Sequence, residues 1–357
     1  MSFPENFCGS EFMKFSTKRR RFLCAAFVTS AFCGAANAEP VDSGGAAPSH
    51  SFMQNCLLES MATAAPDTTI GELRTECEHI VAKTSDKKPE DAPAEHMTPV
   101  QERMIDDQIS YNRKFVISAF QPNYFLGTYS VNPNEKPFES LSPGQDVLDN
   151  PEVKFQVSIK APVWRNMFGT NNDLIAAYTS TSWWQVTSNS AAFRETNYQP
   201  ELFFRHYGGP KFLGGEVAAA DIGFNHQSNG RGEPLSRSWN RVIGRFYLDY
   251  DNFAVGIRTW YRLPEDAAND DNPGMYRYYG YGDVTVAYAP NKNTFAAMLR
   301  PGTQEGAMEL TWSYPITNSF RAYAQYWNGY GESLLDYDAR IERFGIGIAL
   351  NDWLQRN

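Results

Sequence analysis

From about Arg113 to the C-terminus the chain is written in a period of two. Val153, Phe155, Val157, Ile159, Ala161 and Val163 fall on one parity, and Lys154, Gln156, Ser158 and Lys160 on the other. Only an extended chain sends residues i and i+2 to the same side, so this segment reads as a strand with one wholly apolar face. The pattern repeats. Phe253, Val255 and Ile257 oppose Arg258 and Arg262, and Val284, Val286 and Tyr288 oppose Asp283 and Thr285. Met308, Leu310, Trp312 and Tyr314 oppose Glu309, Thr311 and Ser313, and Phe344, Ile346, Ile348 and Leu350 alternate with Gly345, Gly347 and Ala349. Asn, Gly, Asp and Pro clusters separate these runs as turns do.

An all-β body of this kind can be a soluble sandwich, its apolar faces buried, or a membrane barrel, its apolar faces turned to lipid. Two features favour the barrel. The apolar faces carry Tyr and Trp near strand ends, as a membrane-interface girdle requires. The N-terminus also reads as an export signal, with a basic start from Lys18 to Arg21, an apolar run from Phe22 to Phe32, and Ala36-Asn-Ala38 before Glu39. That run is short of the ~20 residues of a spanning helix, and no later stretch reaches that length, so any crossing falls to strands. At roughly 20 residues per strand and connection, the 245 residues from 113 to 357 hold about twelve antiparallel strands, an even number.

Three regions are therefore expected: a signal peptide over 1–38, an appendage with linkers over 39–100, and a transmembrane β-barrel over 101–357. Residues 39–50 and 84–99 have linker composition. Cys8, Cys24 and Cys33 precede the expected cleavage point, leaving Cys56 and Cys77 for one disulfide in a short helical stretch, with two free thiols as the alternative. The net charge of −9 becomes more negative without residues 1–38, which carry Lys14, Lys18, Arg19, Arg20 and Arg21 against Glu5 and Glu11. Nucleic acid is excluded as a natural partner.

The chemistry concentrates between Gly223 and Arg241. His226 and Ser228 share the parity of Phe224 and Ile222, while Asn225 and Asp221 take the other side. On the next strand Asn240 has the parity of Val242 and Phe246, opposite Arg241 and Arg245. Three polar side chains on a hydrocarbon-facing wall are costly unless they bind or react with something there. Ser228 suits a nucleophile, His226 its base, and Asn240 the group that orients the imidazole. Backbone N–H groups around Ser228 and Gly230 are the candidates for an oxyanion hole, Gly230 permitting close approach. The plainer alternative is that all three are polar residues at the headgroup level.

Asn225-His-Gln-Ser-Asn-Gly-Arg231, followed by Ser236-Arg-Ser-Trp-Asn-Arg241, resembles the signature of outer-membrane phospholipase A. The resemblance continues in order through Ser182-Trp-Trp-Gln185, Phe193-Arg-Glu-Thr-Asn-Tyr198, Asp270-Asp-Asn-Pro273, Ser313-Tyr-Pro-Ile-Thr317, Gly329-Tyr-Gly-Glu-Ser333 and Leu350-Asn-Asp352, and covers about residues 100–354. It implies a twelve-stranded barrel in the outer membrane of a Gram-negative bacterium, active as a calcium-dependent homodimer. The implied reaction is hydrolysis of glycerophospholipid acyl esters at both the A1 and A2 positions, and of lysophospholipids. The implied roles are Ser228 as nucleophile, His226 as base and Asn240 as orienting residue. The catalytic Ca2+ would be held by Ser190 of one subunit with Arg231 and Ser236 of the other, and a secondary Ca2+ by Glu233 and Asp271. Two departures from the family stand out: Glu233 replaces its usual Asp, and Ser180 replaces its dimer-face Gln. A passive channel is the rival reading, unless Arg241, Arg245, Arg258 and Arg262 pair with Asp221, Asp283 and Glu309 to fill the lumen. Acyl transfer in place of hydrolysis is a second rival.

Overall fold

In a computed structural model the described residues are 56–57, 60, 68–69, 71–77, 98–111 and 116–354, except 146, 190 and 269. The expected signal peptide, both linkers up to residue 97, and Ser190 lie outside them.

Twelve antiparallel strands follow one another: β1 Tyr124–Ser130, β2 Pro151–Trp164, β3 Asn172–Trp184, β4 Phe193–Tyr207, β5 Gly215–Ser228 and β6 Ser238–Tyr250 form the first half. The second half is β7 Phe253–Arg262, β8 Gly282–Tyr288, β9 Thr294–Pro301, β10 Gly306–Pro315, β11 Arg321–Tyr330 and β12 Arg340–Ala349. Each strand pairs with its sequence neighbours, and β12 returns to β1, with Ala349 opposite Tyr124 and Arg343 opposite Ser130. The sheet is a closed up-and-down barrel without a free edge. Two-residue strands at Ser118–Ala119 and Lys211–Phe212 extend β2 and β5. Among the described residues no helix is long and apolar enough to cross a membrane.

The alternation resolves as the residue types demand. Val157, Ile222, Phe246, Leu310, Phe344 and Ile346 are exposed on the outer wall, whereas Lys154, Lys160, Glu201, Arg205, Asp221 and Arg245 are buried in the lumen. Charges removed from water must be paired, and these are. Glu152 bridges Arg194 at 2.8 Å and Arg343 at 2.7 Å, Glu332 joins Lys154 at 2.9 Å and Arg343 at 2.8 Å, and Arg205 meets Asp221 at 2.7 Å. Arg245 pairs with Glu201, and Arg258 with Asp283. Ion pairs thus cross-link much of the lumen, but Arg241 and Glu309, expected among the pairing residues, form none among the described residues.

Four of the connections following odd-numbered strands are long, residues 131–150, 229–237, 263–281 and 331–339, whereas β6 and β7 are joined by Asp251 and Asn252 alone. Outer-membrane barrels place long loops outside the cell and short turns in the periplasm. The short-turn end carries a feature the sequence did not announce. Helix α1, Pro99–Ser110, begins where a linker was expected and docks into the barrel mouth. Val100 and Met104 pack with Ala287, Ala289, Ala296 and Leu354. The Thr98 hydroxyl donates to Asp249, Arg103 donates to the carbonyls of Phe120 and Trp353, and Asp107 forms a buried ion pair with Lys160. Upstream, Cys56 and Cys77 are joined by a disulfide with their Cα atoms 5.8 Å apart, beside a helical stretch at 71–77. A second short helix, α2, Tyr276–Tyr279, lies in the β7–β8 loop.

Candidate active site

Strands β5 and β6 present the candidate trio. Their register sets His226 directly opposite Asn240 and Ser228 opposite Ser238. Opposed residues of an antiparallel pair hold their Cβ atoms ~4.5–5.5 Å apart, and here His226 Nδ1 lies 2.9 Å from Asn240 Oδ1. An amide oxygen only accepts, so Nδ1 carries the proton and Nε2 is left as a lone-pair acceptor. Phe224 and Ile222 before His226, and Val242 and Phe246 after Asn240, are exposed on the same outer wall. Ser228 stands two residues beyond His226 on that wall, opposite Tyr198 of β4.

The lumenal side of the same strands fixes this orientation. Buried Trp239 donates Nε1–H to Gln227 Oε1 at 2.9 Å, and Arg241 donates to Asn225 Oδ1. These contacts lie between and beside the catalytic candidates, facing the other way. A one-residue slip would turn the trio into the lumen and break all of them.

Beyond Ser228 the chain turns through 229–237, organised by buried Asn229. Its Oδ1 accepts from the backbone N–H groups of Arg231 at 3.2 Å and Arg237 at 3.0 Å, while its amide donates to Leu235 O at 2.7 Å. Gly230 has φ +65°, and a Cβ there would sit 3.1 Å from the Tyr198 ring, so the position suits only glycine. The Arg231 guanidinium reaches back to the carbonyls of Phe193 and Arg194, both at 2.8 Å. That hooks the loop to the start of β4, three residues from position 190.

The residues expected to hold calcium divide unequally. Ser236 Oγ donates to Asp271 Oδ2 at 2.7 Å, bringing together a residue expected at the catalytic ion and one expected at the secondary ion. Glu233 is exposed in the same loop and makes no described contact with Asp271. Among the described residues no hydrogen bond ends on the Arg231 carbonyl, and no group of three or more His, Cys, Asp or Glu side chains forms. An ion here would rest on hydroxyl, carbonyl, one carboxylate and water, an oxygen set that suits calcium. The Asp270-Asp-Asn-Pro273 turn is held to the hairpin by Asn272, whose Oδ1 accepts from Ser238 N at 3.3 Å, and to the end of β7 by Arg262, which donates to Asp270 Oδ1 at 2.6 Å. Asn229 and Asn272 were missed in the sequence, where they look like any turn asparagine.

A closed barrel of twelve strands with a serine, an imidazole and a carboxamide on its lipid wall defines an outer-membrane protein equipped for ester chemistry. The sequence model of the phospholipase A1 family matches residues 100–350. A phospholipase A1 of Klebsiella pneumoniae is 39% identical over 246 residues, 68% of this chain and 85% of that protein. Outer membrane phospholipase A from Escherichia coli superposes with a TM-score of 0.64 at 37% identity, covering 67% of this chain and 93% of that one. It has also been solved as an active-site mutant with an asparagine exchanged for alanine. The Salmonella typhi outer membrane phospholipase, solved as a dimer with bound calcium, has a TM-score of 0.64 at 36% identity over 67% of this chain and 94% of that one. The chain belongs to the phospholipase A1 family, as a phospholipid ester hydrolase of the Gram-negative outer membrane.

Proposed function

We propose that the chain hydrolyses the acyl esters of glycerophospholipids, at both the A1 and A2 positions and in lysophospholipids, on the outer wall of its barrel. The observation that carries this reading is the His226 Nδ1–Asn240 Oδ1 hydrogen bond on a lipid-facing surface. With Nδ1 occupied, Nε2 takes the Ser228 proton as Oγ forms a bond to the ester carbonyl carbon. The imidazolium then returns that proton to the departing glyceryl oxygen, leaving an acyl-serine and an alcohol. Water repeats the sequence, its proton passing through His226 to Ser228 Oγ as the fatty acid leaves. Asn240 holds ring and tautomer but, being neutral, offers the imidazolium no charge compensation. The N–H groups at Ser228 and Gly230 receive the carbonyl oxygen as it gains charge.

The Arg231 carbonyl, Ser236 and the partner subunit's Ser190 would hold a calcium ion, which would supply further positive charge near that oxygen. A relative solved as a calcium-bound dimer, and another whose active-site mutant lacks an asparagine, support this reading. Glu233 and Asp271 form the proposed secondary site. Pairing of two barrels would then complete the catalytic set, and Ser180, on the outer wall opposite Tyr198, would lie at the level of Ser228. Treatment with a sulfonyl fluoride bearing a long alkyl chain, followed by peptide mapping, tests the assignment. A label on Ser228 that blocks lipid hydrolysis is expected; inactivation with the label elsewhere would overturn it.

A further inference from the structure

Behind the catalytic wall the lumen encloses a cavity of about 270 Å³. Most cations around it have a carboxylate partner. Among the described residues Arg103, Arg241 and Arg300 have none; Arg103 is half-buried and gives its donors to the carbonyls of Phe120 and Trp353, whereas Arg241 and Arg300 are only 3% and 7% exposed. Arg241 bonds to the amide oxygens of Asn225 and, at 3.5 Å, Gln227. Arg300 gives one terminal nitrogen to the carbonyls of Tyr330 at 2.6 Å and Gly331 at 2.8 Å, while its Nε has no partner. Each guanidinium lies 4.0 Å from an aromatic centroid, Arg241 at Trp239 and Arg300 at Tyr279, and these two rings meet edge-on at 5.4 Å. The two cations thus flank one aromatic pair and open on one space.

A buried lysine can shed its proton, but a guanidinium keeps it, so the charge must be met by another group. Asp283, at the cavity, is already engaged by Arg258. Glu309 also lines the cavity, and no ion pair among the described residues includes it. Glu332 is likewise engaged, by Lys154 and Arg343, which leaves Glu309 as the one cavity-lining carboxylate to offset Arg103, Arg241 and Arg300.

We infer that this cavity binds a small oxyanion of the inorganic phosphate type, held between Arg241 and Arg300. Guanidinium N–H groups in a planar fork match oxyanion oxygens and form charge-assisted hydrogen bonds that are stronger out of water. The Arg300 Nε–H supplies one such donor without disturbing an existing contact. The site lies on the opposite side of β5 and β6 from the catalytic trio, so its ligand would not be a substrate.

The test uses the folded, detergent-solubilised full chain with calcium chelated, so that phosphate cannot be held through the metal. Isothermal titration with inorganic phosphate is expected to show one saturable site, and its unfolding temperature should rise with phosphate. Arg241→Gln and Arg300→Gln should each weaken binding tenfold or more, whereas Lys136→Gln, at an exposed pair with Asp338, should leave it unchanged. Absence of saturable binding and of thermal stabilisation in the natural chain would overturn the proposal without requiring any variant to fold. Equal binding in the natural chain and both arginine variants would overturn it as well.

Discussion

Trp239 Nε1 donates to Gln227 Oε1 across 2.9 Å on the inner surface of the two strands whose outer surface carries Asn240 and His226. The lumenal bond and the outward bond alternate along one strand pair, so each constrains the twist and register that the other needs. Trp239→Phe keeps most of the buried ring and removes one N–H···O bond, at a cost of about 1 kcal/mol, leaving Gln227 Oε1 only the 3.5 Å contact from Arg241. Lipid hydrolysis should fall several-fold in kcat with little change in KM, because the trio is loosened and no substrate contact is removed. Denaturant unfolding beside steady-state kinetics checks this, and full activity at the expected stability loss would show that register is held elsewhere.

Replacing the outward residues should separate their roles. Ser228→Ala and His226→Ala remove the proposed nucleophile and its proposed proton acceptor, and activity on mixed micellar lipid should drop by roughly 10³-fold or more. Asn240→Ala leaves both reacting groups and loosens only the ring, so a smaller loss, about 10- to 100-fold, is expected. Equal and near-complete loss in all three would contradict the division of labour.

The barrel was legible because lipid outside and paired charge inside write opposite chemistry on alternate residues, as in Val153 to Val163. Parity also carried the outward direction of His226, Ser228 and Asn240. What escaped was non-local. The residues of α1 have mean hydropathy too low to announce a buried helix, and Asp107 becomes interpretable only beside Lys160, 53 positions away. The Ser236–Asp271 bond likewise spans 35 positions and two loops. Nothing in local composition distinguishes Asn229, which organises the hairpin, from an ordinary turn residue.

The Ser236–Asp271 contact predicts a shared dependence on calcium. Each residue is proposed to hold an ion, and each positions the other, so Ser236→Ala or Asp271→Ala should raise the calcium concentration for half-maximal activity by about 10- to 100-fold. Chelation should abolish hydrolysis in the natural chain and calcium should restore it. Calcium titration of lipase activity, with light scattering or crosslinking for dimer formation, checks both points. A fully active, chelator-insensitive monomer would remove calcium and pairing from the mechanism together.

Burial opposes ionisation of Glu332, in the β11–β12 loop, but Arg343 at 2.8 Å and Lys154 at 2.9 Å overcome it and hold the carboxyl down at about 2. A group depressed in the folded state binds its proton more readily when unfolded, so it contributes stability above its unfolded value and loses it as pH falls toward the folded one. With an unfolded value of about 4.3, the contribution is complete at pH 7 and fades between roughly pH 5 and pH 2, amounting to roughly 3 kcal/mol. Glu332→Gln should abolish this part of the acid sensitivity. It should also destabilise the barrel at neutral pH by roughly 3–5 kcal/mol, because Lys154 loses its carboxylate while Arg343 keeps only Glu152. Urea unfolding at pH 7, 4 and 3 in the natural and variant chains checks both signs. If the two chains lost stability in parallel on acidification, Glu332 would not be the group that titrates.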